Sequence, residues 1–139
     1  MEYPSATAHA SSTHAIGRAP RSLNLEVAGE RKVAGPHGAL LLDHRFSATA
    51  TVSFEDATMT SAPAIELSAS ATIEHLLAHY TATITVDSLV RTADCCLPVS
   101  GSVGLVRTGS IDDSHEVTFG PACGQLSVDG QSISIPECL

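Results

Sequence analysis

The chain has 139 residues, 7 Lys plus Arg against 15 Asp plus Glu, and a formal net charge of −8. That length suits one domain with a core of its own, but aromatics are only 4% and tryptophan is absent, so the expected core is thin and built from small side chains. The acidic balance leaves no basic stripe of the kind that follows phosphates, which excludes nucleic acid as a partner, and it argues equally against an anionic membrane surface.

Residues 1–22, "MEYPSATAHASSTHAIGRAPRS", are rich in Ala, Ser, Thr, Pro and His and carry no hydrophobic period. They read as a flexible leader or linker, ahead of a single domain over residues 23–139. They hold neither a basic n-region nor an apolar h-region, so they do not form a secretory signal. The chain is then either intracellular or a mature portion whose targeting segment has been removed. No run of about eighteen apolar residues occurs, so no transmembrane helix is expected.

From Leu23 onward the pattern has period two. Leu23, Leu25 and Val27 alternate with Asn24 and Glu26. Phe46, Ala48, Ala50, Val52 and Phe54 alternate with Ser47, Thr49, Thr51 and Ser53. Ile65, Leu67, Ala69, Ala71 and Ile73 alternate with Glu66, Ser68, Ser70 and Thr72, and Ala82, Ile84 and Val86 with Thr81, Thr83, Thr85 and Asp87. Val103 and Leu105, Val117 and Phe119, Leu126 and Val128, and Ile133 and Ile135 continue the habit. Successive strand side chains point to opposite faces, so each segment is a strand with one buried and one wetted face. Only "IEHLLAHY", residues 73–80, breaks the alternation; its length favours a short turn over a helix.

Turn chemistry separates the runs: "AGPHG" at 34–38, "GSIDDS" at 109–114, "FGPACG" at 119–124 and, most specifically, Asp129-Gly130 within "VDGQS". Roughly eight strands with short connections predict an all-β antiparallel domain, because half-solvated strands do not suit a parallel sheet. A β-sandwich is the first expectation, with a barrel or a curved open sheet as the alternative.

Cys95, Cys96, Cys123 and Cys138 all stand in the last third. Their spacing lacks the paired knuckles of a zinc site and the C-x-x-C of a redox site. Disulfides suit them better. A bond between the adjacent Cys95 and Cys96 would strain its ring, so the pair is expected to anchor Cys123 and Cys138, one each, with the assignment open. Such staples belong to an oxidising compartment.

The stretches "CCLPVSGSVG", "EVTFGPACGQLSVDGQ" and the final "IPEC" resemble the C-terminal part of secreted bacterial β-rich lipoproteins, which carry a cysteine-proline-glycine turn, a T-x-F strand, "CG" and a last hairpin. The likeness covers about the last third. It implies export to the cell envelope and a β-rich fold, without an activity. No cysteine near the N-terminus matches the lipid-bearing position of those proteins.

Several candidate sites follow from residue type. His75 and His79, four apart in "HLLAH", would share a helical face and hold a metal ion, although the segment lacks the interior Glu of H-E-x-x-H. His37, Asp43 and His44 could orient a base, but no nucleophile motif accompanies them. Asp112, Asp113, Ser114 and His115 offer oxygens to calcium without an EF-hand spacing. Gly101 and Gly104 precede no helix, so they form no phosphate loop. The most regular feature is a hydroxyl array: Thr49, Thr51, Ser68, Ser70, Thr72, Thr81, Thr83 and Thr85 stand at alternate positions of three successive strands. Threonine is a good strand former on any wet face. The array also resembles the ice-binding face of antifreeze proteins, and flat edges poor in charge invite a partner strand.

The expected protein is therefore an exported, non-enzymatic structural or interaction module of the cell envelope or extracellular space. It needs no cofactor, and its partners are proteins, including further copies of itself in an oligomer or filament. A metal- or ligand-binding module at His75 and His79, or an ice-binding protein using its threonines, is the alternative.

Overall fold

Period-two patterning and β-branched residues favour extended backbone, and the chain obeys them almost throughout. A computed structural model of the chain describes residues 5–13, 21–55 and 63–136. The strands are β1 (Ser5–Thr13), β2 (Ser22–Ala34), β3 (Leu40–Glu55), β4 (Ala64–His75), β5 (Tyr80–Thr92), β6 (Ser100–Gly109), β7 (Asp113–Phe119), β8 (Gln125–Val128) and β9 (Gln131–Ser134). A 3-10 turn, Pro36–Gly38, joins β2 to β3.

Among the described residues all nine strands belong to one antiparallel sheet, in the order β1 to β9, and the sheet does not close into a barrel. The all-β, disulfide-stapled class expected from the sequence is present, in the open-sheet arrangement. Short connections explain this form. Each strand returns beside its predecessor, so none of the described strands lies across either face. Among the described residues, substantial packing links only sequence neighbours.

The single layer has a direct consequence for burial. Cys95, 5% exposed, is the one buried apolar side chain among the described residues, and none of the polar ones is buried. The molecule exposes 9519 Å² at 14.3 kDa, where a compact monomer of that mass would expose roughly 6800 Å². The thin core expected from composition is thus not enclosed: the apolar side of the sheet is open.

Part of the supposed leader is structured. Ser5–Thr13 pairs along its length with β2, from Ser5 opposite Glu30 to Thr13 opposite Ser22. Alanine is the reason this strand escapes notice. Ala8 and Ala10 alternate with Thr7, His9 and Ser11, a period of two carried by the least hydrophobic of apolar side chains. Residues 1–4 and 14–20 lie outside the described residues.

The turns follow their sequence cues. Asp129 and Gly130 have φ of 49° and 80°, the positive pair that a type I′ hairpin requires. Residues 76–79 form a tight turn between β4 and β5, ended by His79 at φ 55°, so "IEHLLAHY" is a hairpin end. In β5 a bulge shifts the register with β4 between Leu67 and Ala69. Gly101 sits under that bulge, where a Cβ would lie 2.4 Å from the Ser88 carbonyl oxygen.

Cys95 is bonded to Cys123 across a sequence separation of 28. The bond ties the β5–β6 connection to the β7–β8 connection at one end of the sheet. Cys96 is also disulfide-bonded, and Cys138 lies outside the described residues. In the chain-entropy picture a closed loop of this length contributes about 3.6 kcal/mol.

Candidate functional site

Direct opposition in an antiparallel pair places two side chains on one face of the sheet, so the register sorts the whole molecule into two surfaces. On one side the rows across the strands are polar. His9, Glu26, Thr49, Ser70, Thr85, Gly104 and Glu116 stand opposite one another in turn from β1 to β7. The next row runs through Ser47, Thr72 and Thr83, and another through Asn24, Thr51 and Ser68. Thr81 lies in the row of Glu30, Arg45 and Glu74. Every hydroxyl singled out from the sequence therefore shares one face. Neighbouring hydroxyls are spaced about 4.8 Å across strands and about 6.8 Å along them, by strand geometry.

Side-chain bonds tie parts of this face together. The Thr51 hydroxyl donates to the Asn24 side-chain oxygen at 2.8 Å, and the Ser88 amide donates to the Ser68 hydroxyl at 3.3 Å. Charges collect at one end. Lys32 lies 2.9 Å from Glu30, and Arg45 bridges Glu30 and Glu74 at 3.7 and 3.8 Å. The Lys32 hydrogen bond, helped by the Arg45 charge, lowers the Glu30 pKa.

The opposite face is apolar. One row passes through Ala10, Leu25, Ala50, Ala69, Val86, Val103, Val117 and Val128 without a polar member. The adjacent row holds Ala8, Val27, Ala48, Ala71, Ile84 and Leu105. These residues are the buried side expected from the alternation, and nothing in the described chain covers them. Leu25 is 44% exposed, Phe54 42% and Ile65 45%.

The histidines occupy the far end of the apolar face. His75 stands opposite His44 and Tyr80, with the two imidazoles edge to face at 4.1 Å. The His75 Nδ1 accepts the Ala78 amide at 3.2 Å. His75 and His79 line one open cleft of about 490 Å³, with Arg45, Glu74 and Tyr80. No group of three or more His, Cys, Asp or Glu able to hold a metal occurs among the described residues. Desolvation lowers the His44 pKa, reinforced by the His75 and Arg31 charges and opposed by Asp43. Asp43 and His44 are strand neighbours and so point to opposite faces, while His37 sits in the 3-10 turn. The three do not converge.

The "IDDSH" segment is engaged in structural contacts. Asp113 accepts from Arg107 through both carboxylate oxygens, the Nε bond being 2.7 Å. Asp112 accepts the Gly109 amide at 3.2 Å. His115 Nδ1 lies 2.9 Å from Asp129, whose other oxygen accepts the Glu116 amide at 2.8 Å. The Asp129 hydrogen bond raises the His115 pKa, and His115 lowers that of Asp129. Asp129 thus both forms the hairpin and pins it to β7, a role its position before Gly130 does not announce.

No family model, no curated protein and no solved structure matches this chain. Among the described residues no helix is long and apolar enough to cross a membrane.

Proposed function

We propose that the protein is a non-enzymatic structural module of an oxidising, extracytoplasmic compartment, and that it works by associating through the surfaces of its sheet. The observation that carries this reading is the uncovered apolar face, with eight strands contributing to a single unbroken apolar row. Contiguous apolar patches beyond a few hundred Å² mark interaction surfaces in soluble proteins. The Cys95–Cys123 bond supports the compartment. Sedimentation velocity across a hundredfold range of concentration tests the proposal. Association should grow with concentration, whereas a monomer at every concentration would overturn it.

A second reading, ice binding, draws support from the register of the hydroxyl face, where Thr72 stands opposite Thr83 and Ser70 opposite both Thr49 and Thr85. It predicts thermal hysteresis that disappears in Thr83→Lys. Equal freezing and melting points for the unaltered protein would end it.

A further inference from the structure

We infer that the apolar face is covered by the same face of a second copy, so that two single-layer chains close into one two-layered β-sandwich. This rests on the association reading above and names its partner and surface.

Area is the first argument. Five strands, β2 to β6, spaced 4.8 Å apart and about ten residues long, give a patch of roughly 800 Å² per copy. Two such patches bury roughly 1600 Å², the size of a standard stable interface.

Charge is the second argument. The net charge is −8, and on the strands the acids crowd the hydroxyl side, at Glu26, Glu30, Asp43, Glu66, Glu74 and Glu116. Two copies meeting there would repel. On the β2–β6 patch the rows from Leu25 to Val103 and from Val27 to Leu105 are wholly apolar, and the charged residues that stand toward its ends, Arg31, Arg91 and Arg107, are basic. Stacking apolar face on apolar face keeps these acids outward on both sides of the sandwich and leaves Asp113, on the apolar side of β7, paired with Arg107.

Shape is the third. Ala48, Ala50, Ala69 and Ala71 form a low patch in the middle of β3 and β4, bordered along the strands by Phe46 and Ile73 on one side and Val52 and Leu67 on the other. Sheets in contact pack about 10 Å apart with their strands inclined by about 30°. Each copy then offers both ridge and hollow, so bulky side chains of one can settle over alanines of the other.

The test compares Ala50→Lys with Thr49→Lys in sedimentation equilibrium, using the full chain with its disulfides intact. The two substitutions sit side by side on β3 and face opposite ways. Ala50→Lys should weaken the dimer roughly a hundredfold or more, because it would bury an unpaired charge, while Thr49→Lys leaves it unchanged. Disulfide cross-linking of Ala50→Cys under mild oxidation, set against Thr49→Cys, gives the same answer should the lysine variant lose its β-sheet circular dichroism. Cross-linking through residue 50 supports the inference. An oligomer that resists Ala50→Lys, or that cross-links through residue 49, overturns it and leaves the association reading standing. A strictly monomeric unaltered protein overturns both.

Discussion

Removing the Cys95–Cys123 bond is the most informative single perturbation of stability, because so little else in the isolated chain is buried. The bond closes a loop with a sequence separation of 28, and loop-closure entropy sets its contribution at about 3.6 kcal/mol. That is a large share of the 5–15 kcal/mol typical of native domains. The double variant Cys95→Ala/Cys123→Ala avoids a free thiol at either position, and alanine places no hydroxyl in the buried Cys95 site, 5% exposed. Urea unfolding followed by circular dichroism reads the loss directly. With a slope of about 1.5 kcal/mol/M, the midpoint should fall by roughly 2 M. A loss under about 1 kcal/mol would refute the reasoning. It would mean that the unfolded chain is already compact around these loops, or that stability comes from an interface the disulfide does not influence.

Two glycines separate conformational strain from collision. Gly130→Ala meets open space at φ 80° and should cost about 1–2 kcal/mol, the left-handed penalty alone. Gly101→Ala should cost clearly more by the same urea assay, since its Cβ would also fall 2.4 Å from the Ser88 oxygen. The histidines predict opposite pH responses. His115 has a raised pKa through Asp129, so its stabilisation is present below the unfolded value of about 6.5 and is lost as pH rises through the folded value. Nuclear magnetic resonance titration should show Asp129→Asn lowering that midpoint. His44 has a lowered pKa through desolvation, so it costs stability as pH falls through about 6.5 toward the folded value. His44→Gln should remove that acid-side loss, and an unchanged stability–pH profile would refute the assignment.

Strand positions, turn chemistry and the sharing of one face by all the hydroxyls were legible because each depends on local geometry. A period of two is a property of extended backbone, and Asp-Gly is a property of two residues' φ. Once successive strands pair in order, Thr49, Ser70 and Thr85 must meet. β1 was lost for the same local reason, since Ala8 and Ala10 carry too little hydrophobicity to signal a strand beside Thr7 and His9. The histidines show where locality fails. His75 and His79 are close in sequence, yet the turn at 76–79 brings His75 beside His44, thirty-one positions earlier.

By itself the sequence determined an all-β antiparallel chain with cysteine staples and a polar, hydroxyl-rich side. Tertiary structure alone decided what becomes of the other side. Alternation says that one face of each strand avoids water, but carries no information about what covers it. Whether the cover is a second sheet of the same chain or a separate molecule depends on how the strands connect. Here every connection returns the chain to the neighbouring position, β1 to β9 in order, and the apolar rows through Leu25, Ala50 and Val86 are left on the surface. The physical reason is one of layers: a single meandering sheet has no second layer with which to bury its own apolar face.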